Sequence, residues 1–431
     1  MAKKNKQNMA DLPLVAIDLG SDSVRAMAAV SLGPDTLHIL GAEKSTRYAY
    51  TEKGNVTNTH FAAYMIKEAL QLLANRIQVE EIPSAFVVLG GYGMKIQALQ
   101  DKRDLIRAHA ITPELLERIK REFIRAMETS HPTVCVLDLV PTYYVLDGKE
   151  QDECPTPDQV ATILEVHYIA FFGHKDMKQK VNDSFILASI FQEGSFVRSD
   201  ALLSAFGTGQ SEIYQQGCAV LDMGAQTTTL SIYKGNQYLA SKVVPIGGWH
   251  ITRAIEHLGI GLQYAEALKC QLGWACRDLA PTGKKVRIPS VQEKDKILHL
   301  DLQDLADVID QKLNDILTPI LEVLQPYEQR ISTLFITGGG SMLQGLEEYI
   351  QRRTRVDVLP GSHAILLDAS SDDEYCKPQY ASLVGALLLG ADYRKAHKQE
   401  VPDKKTMFFD SIRERFETGT LALFTENTPK K

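Results

Sequence analysis

Residues 220–233 read VLDMGAQTTTLSIY, an apolar run that stops at Asp222-Met223-Gly224 and resumes with Thr, Leu, Ile and Tyr in alternation. A strand that ends on an acid and turns through glycine leaves a carboxylate at its tip, where a ligand can reach it. A near copy, VAIDLGSDSVRAMAAV, fills residues 15–30, with Asp18, Gly20, Ser21 and Ser23 in almost the same register. Two copies of one strand-turn-strand predict one site held between two related α/β halves.

The gross properties leave room for this. A chain of 431 residues exceeds a single ordinary core and predicts about two to four units. Charged residues make up 23% and apolar ones 44%, and the net charge of −7 argues against a phosphate-backbone partner, so no nucleic acid is expected. The six cysteines, Cys135, Cys154, Cys218, Cys270, Cys276 and Cys376, form none of the close pairs that zinc sites or redox loops need, and are read as reduced thiols. The start, MAKKNKQNMADLP, has lysines but no apolar run after them, which predicts a cytoplasmic chain. The greasiest stretch, SLVGALLLGA at 382–391, is half the roughly 20 residues of a membrane span and reads as a buried helix.

Along the chain, Leu14–Asp18, Ser23–Val30 and Thr36–Lys44 read as strands, 59–76 as a helix, and 86–93 as a strand again. Residues 91–174 break this rhythm. Thr112-Pro113-Glu114 supplies an N-cap and first-turn proline for a helix carrying Leu115, Leu116, Ile119, Phe123 and Met127 on one face, and two strands follow. The α/β alternation returns after residue 174, with a polar loop expected over 278–296, a helix over 302–324 and a strand-GGG-helix at LFITGGGSMLQGLEEYI.

Glycine-rich turns of this kind bring backbone N–H groups together and let a phosphate approach without a Cβ in the way. Ser21, Ser23, Thr227 and Thr228 add hydroxyl donors beside Gly20 and Gly224, and Gly338, Gly339 and Gly340 offer a flat wall for a base and ribose. Asp18 and Asp222, facing each other, suit a hydrated Mg2+, which keeps several waters and uses few carboxylates.

The segments IDLGSDSV, LDMGAQTTTLSIY, ITGGGSMLQGLEEYI and YASLVGALLLGA resemble the phosphate-one, phosphate-two, adenosine and second connecting motifs of the actin, Hsp70 and sugar kinase superfamily. With LVPTYYVLDG, EVHYIAFFG and VPIGGWHITRAIEHLGIGLQYAEALKCQLG, the pattern over about 12–391 is similar to the bacterial cell-division family FtsA. The resemblance implies an actin-like, ribonuclease H-like duplicated α/β fold with a small inserted α+β subdomain. Its divisions would be a first core subdomain of 12–90, 175–216 and 375–392, the insertion 91–174, a second core of 217–247 and 325–374, an outer subdomain 248–324, a linker 393–405 and a helix 406–424. It also implies bound ATP with Mg2+ at Asp18 and Asp222, and a ribose contact from Glu266 and Lys269. The implied partners are the FtsZ C-terminal peptide, docking on 248–324, further copies of the chain in filaments, and other divisome proteins. Where relatives carry Gly-Gly-Gly-Thr-Thr-Asp, this chain has Gly224-Ala225-Gln226-Thr227-Thr228-Thr229, so nucleotide binding is expected with hydrolysis weak or absent. Glu212 is the single candidate to orient a hydrolytic water.

The C-terminal KKTMFFDSIRERFETGTLALF places Phe408, Ile412 and Phe416 four apart with Phe409 beside them, an apolar stripe opposite Arg and Glu. Behind a polar linker, such a helix fits an anionic membrane surface, and the FtsA resemblance implies a place on the cytoplasmic side of the cell membrane at the division site. A pilus-assembly actin homologue and a sugar-kinase-like phosphotransferase are the competing readings.

Overall fold

The computed structural model describes residues 12–46, 50–151, 153–207, 215–235, 237–289 and 297–396. Glu212 and the tail residues Phe408, Phe409, Ile412 and Phe416 lie outside the described residues.

Two five-stranded sheets repeat one topology. The first is built from β1 (Leu14–Leu19), β2 (Val24–Ser31), β3 (Leu37–Ser45), β4 (Ser84–Leu89) and β5 (Phe191–Val197), in the order β3-β2-β1-β4-β5. The second uses β6 (Cys218–Met223), β7 (Thr228–Lys234), β8 (Gln237–Val244), β9 (Thr333–Thr337) and β10 (Asp357–Pro360), in the order β8-β7-β6-β9-β10. In both, the first three strands form an antiparallel meander and the last two add in parallel. This places Asp18 and Asp222 at equivalent positions, opposite Arg25 and Thr229 respectively.

All six residues of β1 are buried because both faces of its sheet are covered. Val15, Ile17 and Leu19 pack toward helix α1 (Thr59–Ile77), and Leu14 and Ala16 toward the long C-terminal helix Ala381–Ala396. The second half does the same with Ala219, Leu221 and Met223, which join the apolar face of the helix Leu302–Leu324. Asp301 caps that helix by accepting from the Gln303 N–H at 3.0 Å. On the other face of β6, Cys218 and Val220 meet Leu202, Phe206, Phe335 and Ala381 in a small core shared by the two halves. There the Phe206 and Phe335 rings stack with centroids 5.4 Å apart.

Residues 95–174 form a separate four-stranded antiparallel sheet covered by the helix Pro113–Ser130. Thr112 is its N-cap, accepting from the Leu115 N–H at 3.3 Å, with Pro113 in the first turn. One of these strands, Lys95–Ala110, has no counterpart in the sequence reading, because its charges hide the alternation. It is an edge strand, where such charges are tolerated and block unwanted pairing. The polar loop expected over 278–296 is also partly ordered: Lys285–Pro289 pairs with Ile297–Asp301. Ile288 is buried and Val286, Leu298 and Leu300 pack on the second core, so apolar alternation survives among the lysines. Among the described residues, no helix is long and apolar enough to cross a membrane.

Candidate functional site

Between the two sheets lies a cavity of about 370 Å³, within the usual size of small-molecule sites. Three glycine turns line it, at Gly20, Gly224 and Gly338 to Gly340. The first two turns are braced by hydrogen bonds, and the third is fixed by its close approach to Asp222. The Tyr50 hydroxyl donates to the Gly20 carbonyl at 2.5 Å. In the second turn, Gly224 N–H donates to Thr227 O at 2.9 Å, while Gly248 and Trp249 N–H groups donate to Gly224 O and Ala225 O at 2.9 and 2.8 Å. In the third, Gly338 has φ +82° and a Cβ there would stand 2.4 Å from an Asp222 carboxylate oxygen, so only glycine fits. Ala225 has no positive φ, so its Cβ meets none of the left-handed strain that would call for glycine. Gln226 is turned away from the turn's own backbone: its amide oxygen accepts the Lys53 N–H at 2.6 Å, linking the two halves across the cleft.

The strand-end aspartates stand across the cleft and share one partner, the Arg198 guanidinium. Arg198 opens the helix α2 (Arg198–Gly207), directly after β5. It donates from both terminal nitrogens to the two oxygens of Asp18, one bond measuring 2.8 Å, and its Nε lies 3.7 Å from Asp222. Ser382 donates a further bond to Asp18 at 3.1 Å. Burial pushes the Asp18 carboxyl up, but the Arg198 charge and hydrogen bonds outweigh it and hold Asp18 below its ordinary value. Asp222 is pushed up by burial, which the more distant Arg198 offsets only in part. For Arg198, burial works against the charge, and the fields of Asp18 and Asp222 more than restore it.

The cleft gathers Asp18, Gly20, Ser21, Ser23, Asp222, Gly224 and Thr227, together with Gly338, Gly339, Gly340, Glu266 and Lys269. Ser23 is 2% exposed and, among the described residues, its hydroxyl has no hydrogen-bond partner, an unfilled demand in the first glycine turn. Thr228 does not line the cavity; it is fully buried and its hydroxyl donates to Ile246 O at 2.9 Å. Lys269 gives its three donors to Glu266 at 2.8 Å, Thr252 at 2.8 Å and Gly248 O at 3.2 Å, so it positions Glu266 and the Gly247-Gly248 turn. Burial opposes ionisation of Glu266, but hydrogen bonds from Lys269 and Thr252 win and lower its pKa.

Sequence reasoning missed Arg198, Arg25, Ser382 and Trp249, all of which line the cavity. For Arg198 a signal existed: FQEGSFVR again ends a strand on a charge, as at Asp222, although polar residues interrupt its apolar run. Arg25 lies opposite Asp18 in the ladder, and among the described residues no hydrogen bond or ion pair holds its guanidinium.

A chain of the "PilM-PilN type IV pilus biogenesis complex" superimposes with a TM-score of 0.64 at 16% identity, covering 88% of this chain and 98% of that one. The duplicated sheets, the cleft between them and this likeness define an actin-like α/β protein. The family model "Cell division protein FtsA" matches residues 219–385. The cell division protein FtsA of Bacillus subtilis (strain 168) is 23% identical over 358 residues, 79% of this chain and 78% of the relative. That of Escherichia coli (strain K12) is 22% identical over 413 residues, 91% and 94% of the two chains. Within the actin-like class, the chain is therefore similar to the cell-division protein FtsA, as the motifs implied.

Proposed function

We propose that this chain is an ATP-binding, actin-like cell-division protein that assembles into filaments and tethers the FtsZ ring to the cytoplasmic face of the membrane. The observation that carries the nucleotide part is the cleft itself: three glycine turns converge on a nucleotide-sized cavity in which, among the described residues, the Ser23 hydroxyl has no partner and no hydrogen bond or ion pair holds the Arg25 guanidinium. A phosphate accepting from Ser23 and from the Arg25 fork would satisfy both. The third glycine turn would face base and ribose, with Glu266 held by Lys269 at the cleft wall. The residues present fit such a nucleotide. They do not fit a hydrated Mg2+ between Asp18 and Asp222, because Arg198 already occupies both Asp18 oxygens.

Trp249 supplies the test. It lines the cavity, is 40% exposed and carries the Arg253 guanidinium 5.1 Å from its ring centroid. Adding ATP to the full chain is expected to change tryptophan emission saturably, and Trp249→Phe to abolish most of the change. Absence of saturable binding by ATP or ADP in calorimetry would remove the nucleotide reading.

The cell-division reading rests on the FtsA relatives and on the 217–273 motifs. Filaments follow if two different surfaces of one body meet head to tail without closing a ring. The membrane part rests on the spacing of Phe408, Phe409, Ile412 and Phe416 behind a polar linker. Truncation after Arg394 is expected to abolish co-sedimentation with anionic vesicles; a truncated protein that still pellets with them would show that the tail is not the anchor. The likeness to the pilus protein is one of fold and lends the pilus reading nothing further.

A further inference from the structure

Phosphate clefts closed by carboxylates ordinarily share a hydrated divalent cation with the nucleotide. Here a side chain holds that place. We propose that Arg198 substitutes for the divalent cation, so that the chain binds its nucleotide without metal. This rests on the nucleotide reading above and concerns what accompanies the nucleotide in the same cleft.

Three features fix the guanidinium where it is. Asp18, itself 2% exposed, takes both terminal nitrogens in a bidentate pair, and Ser382 Oγ lies 3.4 Å from one of them. Asp222 lies on the other side, 3.7 Å from Nε. Gly90 covers the same Nε so closely that a Cβ at that position would stand 2.9 Å away. Admitting a metal would require breaking the bidentate Arg198–Asp18 pair, and leaving Arg198 in place would set a divalent cation against a guanidinium.

The donor set agrees. Magnesium demands near-octahedral oxygen ligands, yet both Asp18 oxygens are already engaged by Arg198. A delocalised, permanently charged guanidinium is the side chain suited to bridging two carboxylates in a buried place. With Arg25 also lining the cavity, a bound phosphate meets two guanidinium groups against the two carboxylates. Phosphoryl transfer in nucleotide-hydrolysing sites draws on a metal bridging the phosphates, and the same arrangement leaves the bound nucleotide intact.

The experiment titrates the full wild-type chain with ATP, reading Trp249 emission and heat of binding, once in excess EDTA and once in excess Mg2+. The two dissociation constants are expected to agree within about threefold. Arg198→Gln, which frees both carboxylates, is expected to make binding at least about tenfold tighter with Mg2+ than in EDTA. Wild-type binding that tightens about tenfold or more with Mg2+ overturns the proposal, and so does an Arg198→Gln protein that folds, binds ATP and stays indifferent to Mg2+. If Arg198→Gln does not fold, the wild-type comparison alone decides. No binding in either condition defeats the nucleotide reading, and this inference falls with it; binding that requires Mg2+ defeats this inference alone.

Discussion

Arg198→Ala is expected to unfold about 3–5 kcal/mol more easily than wild type at pH 7, the usual cost of removing one partner from a buried ion pair. The loss comes less from the missing bonds than from what stays behind. Asp18 and Asp222, 2% and 8% exposed, would face each other across the cleft with their shared cation gone. Denaturant unfolding at several pH values checks this. In wild type, Asp18 is held below its ordinary value by Arg198. The stability it contributes is therefore present above its unfolded pKa and is lost as pH falls through its folded value. Asp222 is raised by burial; its ionised form costs stability near neutrality, and protonation relieves that cost as pH falls. Without Arg198, both carboxylates behave as Asp222 does. The deficit of the variant should therefore shrink as pH falls from 7 toward the ordinary carboxylate range near about 4. Adding Asp18→Ala to Arg198→Ala should recover part of the loss, since one buried charge then remains where two stood. A deficit under about 1 kcal/mol that does not change with pH would show that solvent reaches these aspartates and that Arg198 does not hold the cleft together.

How far the sequence discloses this molecule depends on how each part is stabilised. The two sheets are legible because buried strands must be apolar and must turn through glycine, and because the chain does this twice in the same register around Asp18 and Asp222. Helix α1, read as 59–76, is found at Thr59–Ile77, since its stripe of buried residues has no competing pattern. The strand Lys95–Ala110 was invisible for the opposite reason: its stability comes from pairing with Val160–His174, while its own side chains are mostly polar. Tertiary pairing overrides local preference in such strands. At the site, the paired strand-end acids stood out, whereas the strand end at Arg198 carries a similar signal without a second copy to single it out. A single arginine in sequence does not reveal that it will stand between two carboxylates from different halves of the chain. Thr228 erred in the other direction. One of three consecutive threonines had to face inward on β7, and its hydroxyl is used by Ile246 O, an outcome set by strand alternation.

Gly385→Ala is expected to be as damaging as the loss of Arg198, with no charge involved. A Cβ on Gly385 would stand 1.7 Å from Ala201 O and 2.6 Å from Ala201 C. The obstacle is backbone, which cannot rotate aside. Alanine ordinarily stabilises a helix interior by about 1 kcal/mol relative to glycine, but here that gain is outweighed. Relief requires Ala381–Ala396 and α2 to move apart by more than an ångström, and overpacking a tight core costs typically about 1–3 kcal/mol, occasionally more. This contact belongs to the upper end because both helices have other duties. α2 carries Arg198 at its start and Leu202 and Phe206 in the core shared by the halves, while the C-terminal helix carries Ser382, which bonds Asp18. Forcing them apart would disturb the shared core and the Arg198–Asp18–Ser382 cluster together, so weaker ATP binding should accompany a stability loss of about 3 kcal/mol or more. Gly33→Ala is the internal control: nothing lies within 4 Å of a Cβ there, and its stability should stay within about 0.5 kcal/mol of wild type. A Gly385→Ala protein as stable as the Gly33→Ala control would mean that the close approach of the two helices does not set the position of Arg198.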